Sequence, residues 1–313
     1  MAASVERPGK QEKLGLQELR QEIPPRFLFR CGSATSGGLQ NLDTEQAITP
    51  RAHALGVNHR KYQDIPNPEV MVDNHLQKRN TNPDTEFSSW SASSYLVFCY
   101  AYAKRDIGEE NVQIAIIDTT VVKNAVFHGT KLKRGGMTEY YAYWEFLVHG
   151  IVEGPGFLSV PFKDILREGV DFYWEWIDKP IKDYHKPREE LFRKPKGWPI
   201  TIESARRVIK IGTLFGPSFA GIVAVSLLAW YPRSGDHDSP AQGIKIEGLD
   251  SFIKQLRQEN LRLPRDLDTI LDPPFDIGSQ GELMGSMDEI TEMRRLCCNI
   301  QASHPLPDES LYL

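Results

Sequence analysis

The chain has 313 residues, 40% of them hydrophobic and 25% charged, which is enough apolar sequence to bury a core and excludes disorder throughout. Its formal net charge at pH 7 is -5, and its basic residues form no concentrated patch. These values exclude a general electrostatic attraction to nucleic acid or to anionic membranes.

The N-terminal sequence MAASVERPGKQEKLGLQELRQEI lacks the apolar core of a secretory signal. Cys31, Cys99, Cys297 and Cys298 show no disulfide framework spacing, and the last two are adjacent. We therefore expect an intracellular, cytoplasmic protein with reduced thiols. The sequence contains neither a CxxC pair nor an HExxH element, so we predict no metal site and interpret the histidines singly, as surface or core residues.

The first part of the chain predicts a helix, a strand and a polar segment, in that order. Residues 1–25 predict a helical extension that stops at Pro24-Pro25. RFLF then predicts a strand that ends at Arg30, where the sequence turns to Gly, Ser and Thr. Residues 41–86 are polar and rich in Pro, Asn and His, which predicts a long surface excursion with one helix at EVMVDNHLQKR.

Three segments after this excursion carry β patterns. FSSWSASS predicts a strand and turn that lead into the apolar helix YLVFCYAYA, and NVQIAIIDTT and YYAYWEFLVHG each predict a strand. Residues 26–165 are therefore predicted to form an α+β domain. Residues 166–199 are aromatic, charged and rich in proline, which predicts a linker or a strap packed on a neighbour.

Residues 200–300 carry helical periodicity and predict a mostly helical C-terminal region, followed by a flexible tail at residues 301–313. Within this region, residues 211–231 contain no charge and are long enough to span a bilayer. Pro217, the glycines and the basic residues on both flanks favour a buried hairpin or a kinked helix. The less favoured interpretation of residues 211–231 is a membrane span, which would indicate a membrane-attached interaction protein.

Several polar side chains stand out against these elements. Arg30 could bind a phosphate with its guanidinium fork, although most arginines are simply solvated. Ser89 and Ser91 lie two residues apart on extended chain, so both hydroxyls face one side and either bind a ligand or serve a turn. Glu145 lies in an apolar segment, where burying a carboxylate costs free energy unless its charge is compensated. It is therefore either part of a ligand site or a partner in a plain salt bridge. Tyr143 shares its face of the predicted strand, and a carboxylate beside aromatic rings suits a flat ligand.

Taken together, FLFRCGS, FSSWSASSYLVFCYAYA, VQIAIIDTT and YWEFLVHGIVEG resemble, in order and spacing, the Arg-Ser-Glu motifs of cholera-toxin-like ADP-ribosyltransferases. The segments are also similar to domains of fungal proteins. The resemblance covers residues 26–165 and implies an ADP-ribosyltransferase-like α+β domain, with two small packed sheets and a cleft between them, followed by the helical region. It further implies a mono-ADP-ribosyltransferase that cleaves the nicotinamide glycosidic bond of its substrate NAD. The ADP-ribose would pass to a macromolecular acceptor, most simply a protein.

The resemblance also implies which residues act. Glu145, Arg30 and Ser89 would be catalytic. The residues implied to bind NAD are Arg30, Cys31, Gly32, Ser89, Trp90, Ser91, Tyr143 and Glu145. For Cys31, a small buried filler is the competing interpretation.

Two positions depart from the family pattern. Many members carry Glu or Gln two residues before the catalytic glutamate, where it handles the acceptor, but Tyr143 stands there in this chain. Trp90 replaces a smaller residue between the two serines. Because a tyrosine cannot deprotonate an arginine acceptor as a carboxylate can, the alternatives are a NAD glycohydrolase and a catalytically degenerate binding module.

Overall fold

The computed structural model describes residues 14–36, 44–57, 61–77, 84–140, 145–170, 199–230, 247–261, 263, 293 and 295–300. The strands within these residues are β1 Phe27–Gly32, β2 Ala47–Ile48, β3 Phe87–Trp90, β4 Gln113–Asp118, β5 Val126–His128, β6 Phe146–His149, β7 Val152–Glu153 and β8 Phe157–Pro161. The helices are α1 Leu16–Leu19, α2 Arg51–Ala54, α3 Pro68–Gln77, α4 Ser94–Asp106, α5 Gly129–Arg134, α6 Phe162–Arg167, α7 Ile202–Leu214, α8 Gly216–Leu228 and α9 Leu249–Gln258, with a 3₁₀ turn at Tyr62–Asp64. Small antiparallel sheets and several helices confirm the predicted α+β class.

The first sheet has the strand order β1-β4-β8, and both of its strand pairs are antiparallel. All of β4 is buried, because it is the central strand and carries apolar residues on both faces. β1 is longer than predicted, because Cys31 and Gly32 also pair with β4. Arg30 therefore lies within the strand, opposite Ala115, and the prediction that the strand ends at Arg30 was wrong.

The second sheet has the order β3-β6-β5 and is also antiparallel. A two-stranded ladder of β2 and β7 accompanies the two larger sheets. The larger sheets meet where Phe29 of β1 and Ser91, directly after β3, exchange backbone hydrogen bonds of 2.7 and 2.8 Å. This junction brings the end of β1 beside β3.

An apolar cluster fills the space between the two larger sheets. Leu28 and Ile117 enter it from the first sheet, and Trp90 and Val148 enter it from the second. Because side chains alternate along each strand, the neighbouring residues of these strands face outward, toward the helices.

Helices cover the outer face of each larger sheet. On the second sheet, Leu76 of α3 packs in one cluster with Phe87. On the first sheet, Phe29, Phe98 of α4 and Phe252 of α9 belong to one larger cluster. The C-terminal helices therefore share a core with the N-terminal strands.

The uncharged run of residues 211–231 is, up to residue 230, divided between α7 and α8, which pack against each other. The chain turns at Gly216, which has a φ of 67°, and Pro217 lies in the first turn of α8. A Cβ atom on Gly212 would lie 2.4 Å from the carbonyl oxygen of Ala220, so this glycine permits the close approach of the two helices. Of the two predicted alternatives, a buried hairpin and a kinked helix, the structure shows the hairpin. Among the described residues, none of the helices has both the length and the apolar character needed to cross a membrane.

The prediction of a surface excursion at residues 41–86 holds only in part, because several of the described residues lie in the core. Ile48, Tyr62, Val72 and Leu76 are all buried. The segment is polar on average, but Val72 and Leu76 lie four residues apart and form the inner face of α3. The helical spacing of its apolar residues, and not the mean polarity of the segment, therefore determined that α3 packs on the core.

Other predicted segments are described only in part. Of the N-terminal extension the structure describes the residues from 14 onward, including α1. Of the predicted linker or strap, residues 171–198 lie outside the described residues, and so does the whole tail at residues 301–313. The described parts of residues 200–300 are mostly helical, as predicted, with further helical residues at 295–300.

Candidate functional site

The guanidinium of Arg30 lies against β3. Its Nη1 atom donates a hydrogen bond of 2.8 Å to the backbone carbonyl oxygen of Ser89. The Arg30 side chain is half-buried, and the sheet junction at Phe29 and Ser91 sets its distance from β3. This bond fixes the direction in which the guanidinium fork faces.

The hydroxyl of Ser89 donates a hydrogen bond to the carboxylate oxygen Oε1 of Glu145, which directly precedes β6. β3 and β6 pair antiparallel, with Ser89 opposite Leu147. Alternation therefore places Ser89, Leu147 and Glu145 on one face of the sheet. The Glu145 carbonyl oxygen accepts a hydrogen bond of 2.9 Å from Gly129 N–H, which ties its backbone to the start of α5, directly after β5.

These contacts bring Arg30, Ser89 and Glu145 together, although 59 and 56 residues separate successive members of the set. The convergence agrees with what the sequence led us to expect.

A fourth side chain, His75 of α3, joins this set. Its Nε2 atom lies 2.8 Å from the Ser89 hydroxyl oxygen, and its Nδ1 atom lies 2.7 Å from the Thr85 hydroxyl oxygen. Because Ser89 donates its hydrogen to Glu145, its oxygen accepts from His75 Nε2–H. Thr85, His75, Ser89 and Glu145 thus form one continuous chain of hydrogen bonds.

Sequence reasoning missed His75. The helix that carries it was predicted, and its buried residues Val72 and Leu76 define the inner face. His75 directly precedes Leu76, and a histidine at the border of an amphipathic face was the one available signal. Periodicity does not identify which strand lies opposite, so Ser89 could not be recognised as its partner.

Tyr100 lies within electrostatic range of Glu145, and Tyr140 lies within electrostatic range of Tyr100. Burial and, second, the negative charge of Glu145 raise the pKa of the Tyr100 phenol above its ordinary value, and Tyr140 adds to this effect. The two tyrosines nevertheless remain 37% and 46% exposed. Glu145 is itself half-buried, so its surroundings combine aromatic rings with access to solvent.

The turn after β1 is held in place by Glu109. The Glu109 carboxylate accepts hydrogen bonds from the Ser33 hydroxyl, from the Thr35 hydroxyl at 2.7 Å and from Lys104 Nζ at 2.9 Å. Burial acts to raise the pKa of Glu109, but the hydrogen bonds from Lys104, Ser33 and Thr35 outweigh it and lower the pKa. This network fastens the loop near Arg30 to the chain that follows α4.

Two of the residues implied to bind NAD have other tasks in the structure. Trp90 is 2% exposed between the sheets, and its Nε1 atom donates a hydrogen bond of 2.8 Å to the Ser88 hydroxyl. The hydroxyl of Ser91 accepts a hydrogen bond of 3.1 Å from Ser93 N–H and shapes the turn into α4. Alternation turns Trp90 away from the face of Ser89, and the strand ends before Ser91. Contrary to the expectation, the side chains of Trp90 and Ser91 therefore do not face Glu145.

Cys31 and Gly32 lie within β1, paired with Ile114 and Gln113. Cys31 packs against the apolar cluster on the outer face of the first sheet, opposite to the direction of Arg30, which supports its interpretation as a filler. Gly32 is buried in the strand. Tyr143 lies outside the described residues.

The chemistry of the set follows from its charges. A half-buried carboxylate that a serine holds in one orientation can stabilise positive charge as it develops on a bound molecule. A guanidinium that is hydrogen-bonded to the backbone of the same serine can bind an anionic group of the same molecule. The arrangement therefore suits a ligand that is anionic at one end and becomes cationic at a reacting atom.

Residues 23–155 match the model of a protein family described as a domain of unknown function (DUF7587). The matched range includes Arg30, His75, Ser89 and Glu145. No curated protein and no solved structure matches the chain. The family description names no activity, and the function is therefore inferred from the site itself.

Proposed function

We propose that the protein binds NAD, cleaves its nicotinamide glycosidic bond and passes ADP-ribose to a macromolecular acceptor. The observation that carries this proposal is the hydrogen bond from Ser89 to Glu145, with Arg30 bonded to the Ser89 carbonyl oxygen. The set is similar to the Arg-Ser-Glu motifs of the cholera-toxin-like ADP-ribosyltransferases. The two three-stranded sheets, packed on a shared cluster, would correspond to the two-sheet core of that family.

In the proposed reaction, the bond between ribose C1′ and the nicotinamide nitrogen breaks. The electron pair stays with the nitrogen, which thereby loses its positive charge, and C1′ becomes part of an oxocarbenium-like group. Nicotinamide leaves as a neutral molecule, so no general acid has to protonate it. A single carboxylate then suffices to oppose the developing positive charge, and Glu145 is the carboxylate that the site offers.

The other members of the set would prepare Glu145 and the ligand. Arg30 would bind the pyrophosphate or the ribose of NAD through its guanidinium fork. Ser89 and His75 would act as positioning residues, because their hydrogen bonds hold the Glu145 carboxylate in one orientation. An acceptor nucleophile would then bond to C1′ and release its proton.

Hydrolysis of NAD is the second candidate, and Tyr143 favours it. A phenol does not activate an arginine acceptor at neutral pH as a carboxylate would. With water as the acceptor, its oxygen would bond to C1′, one proton would be released, and the products would be ADP-ribose and nicotinamide.

The direct test is release of nicotinamide from NAD by the purified full chain. We expect the wild type to release it, Glu145→Gln to be slower by roughly 100-fold or more, and Glu153→Gln to match the wild type. Glu153 is a suitable control because it is an exposed glutamate on β7. Binding of NAD without release would leave a degenerate binding module, and the absence of binding in calorimetry would overturn the proposal.

A further inference from the structure

A second polar cluster lies near the other end of the β3-β6 pair. Glu86, directly before β3, has a fully buried side chain, with 0% of its surface exposed. His149, the last residue of β6, and His53 of α2 face it, and their side chains are 7% and 5% exposed. A carboxyl group removed from water to this degree needs a proton, hydrogen bonds or a positive charge beside it.

The two histidines approach the same oxygen atom of Glu86. Nε2 of His149 lies 3.1 Å from Oε2, and Nε2 of His53 lies 3.8 Å from it. One ligand atom from each of the three residues can be chosen so that all of them lie within 4.8 Å of one another. Two ligands of a tetrahedral zinc ion lie about 3.4 Å apart when their bonds measure about 2.1 Å, and the two measured distances bracket that value.

A protonated imidazole could also neutralise Glu86, and the distance from His149 is compatible with a hydrogen bond. The distance from His53 favours a metal ion instead. At 3.8 Å this nitrogen is too far for a hydrogen bond to that oxygen, but it lies where a second ligand of the same ion would be. A cation between the two imidazoles and the buried carboxylate would account for both distances.

The backbone holds these three residues firmly. Phe87 and His149 are opposite each other in the β3-β6 ladder, and Gly150 N–H donates a hydrogen bond of 2.8 Å to the Glu86 carbonyl oxygen. Ala52 N–H donates a hydrogen bond of 3.2 Å to the Thr85 carbonyl oxygen, which ties α2 to the same segment. Ligands on paired strands and a bonded helix are preorganised for a small ion.

The surroundings are aromatic. The rings of Phe87 and Tyr62 lie 5.7 and 6.2 Å from the imidazole of His149, both in edge-to-face arrangements. Such a shell lowers the local dielectric constant, which strengthens the interaction between a cation and a carboxylate.

We propose that His53, Glu86 and His149 bind one divalent transition-metal ion, for which zinc fits best, with water as the fourth ligand. Two imidazoles and one carboxylate are donors that zinc accepts in tetrahedral sites. No sequence motif reveals the cluster, because its members come from three separate segments and only the fold brings them together. The inference does not depend on NAD chemistry.

The ion would serve the structure of the first site and would not touch its substrate. Glu145 precedes β6 and His149 ends it, so roughly 13 Å of extended chain separates the two positions. The Glu86 ligand, however, is the neighbour of Thr85, whose hydroxyl lies 2.7 Å from His75 Nδ1. A bound ion would therefore hold in place the segment that carries Thr85, where the hydrogen-bond chain through His75 and Ser89 to Glu145 begins.

The test begins with the full chain, stripped of metal with a chelator and then titrated with zinc chloride in a calorimeter. Elemental analysis of the dialysed protein should give one zinc ion per chain, and zinc should raise the melting temperature. If the stripped wild type binds no zinc, Glu86 is neutralised by a protonated histidine and the proposal is overturned.

Variants locate the site. Glu86→Gln and His53→Gln should each weaken zinc binding by roughly 100-fold or more and abolish the thermal shift. His128→Gln is the matched control, because His128 is also buried on this sheet but is not part of the cluster, and it should bind zinc like the wild type. Replacement of zinc by cobalt provides a spectroscopic signature of tetrahedral coordination, which Glu86→Gln should lose. Undiminished zinc binding by both cluster variants would place the ion elsewhere and reject this site.

Discussion

His75 Nε2 lies 2.8 Å from the hydroxyl oxygen of Ser89, so that helix α3 is coupled to the strand on which Ser89 lies. The same hydroxyl donates its hydrogen to Glu145. A change in the helix can therefore alter the orientation of the carboxylate without any contact between the helix and the substrate.

This coupling predicts a specific loss in His75→Ala. We expect NAD cleavage to slow by about 10-fold or more at unchanged KM, because the variant loses the donor that orients Ser89 and retains the groups proposed to bind NAD. His75→Gln should recover part of the rate, since its side-chain amide can also donate to Ser89. Steady-state measurement of kcat and KM for the three proteins checks this. Equal kcat values would show that His75 serves only the packing of α3.

Glu145→Gln should separate catalysis from binding. Glutamine keeps the size of the side chain and can accept from Ser89, but it lacks the negative charge that opposes the oxocarbenium-like group. NAD affinity measured by calorimetry should stay nearly unchanged while nicotinamide release slows by roughly 100-fold or more. A variant that cleaves NAD as fast as the wild type would make Glu145 a structural residue.

Arg30→Ala should show the opposite behaviour. Loss of charged hydrogen bonds to NAD should weaken ground-state binding by about 1.5 to 3 kcal/mol, which is roughly a 10- to 150-fold increase in Kd. Arg30→Lys should recover only part of this affinity, because an ammonium group lacks the planar fork. Titration of all three proteins with NAD gives the comparison, and an unchanged Kd in Arg30→Ala would exclude contact between Arg30 and NAD.

Glu109 should make stability depend on pH in the acid range. Its pKa is lowered in the folded protein, so its contribution is fully present above the ordinary carboxyl pKa and is lost as the pH falls through the lowered value. Glu109→Gln should therefore lower the urea midpoint at pH 7, and its difference from the wild type should shrink in more acidic buffer. Glu110→Gln is the control, because Glu110 is exposed and adjacent in sequence. A difference that persists unchanged in acid would contradict the role of the charge.

Gly212→Ala should destabilise the hairpin of α7 and α8, although alanine ordinarily favours a helix. The added Cβ would meet the Ala220 carbonyl oxygen at 2.4 Å and force the two helices apart. We expect a loss of about 1 to 3 kcal/mol in the free energy of unfolding. Thr213→Ala, at an exposed position of the same helix, should change it much less. Equal stability of Gly212→Ala and the wild type in denaturant titration would show that the helices can separate without cost.

The sequence by itself determined the local elements. The strand, turn and helix at β3 and α4 and the apolar strand β4 were recognised from the spacing of apolar residues, which depends on neighbours in the chain. Likewise, Pro217 and the nearby glycines predicted the hairpin in the uncharged run. Alternation also placed Ser89 and Glu145 on defined faces of their strands.

Only the tertiary structure decided which faces meet. Trp90 turned out to lie between the sheets, and Ser91 to serve a turn. Residues 41–86 turned out to supply His53 and His75 to the two polar clusters. The physical reason is that periodicity specifies the direction of a side chain relative to its own element and carries no information about the element on the other side. A partner such as Ser89 for His75, or Glu86 for His149, exists only once distant segments have paired and the apolar clusters between them have closed.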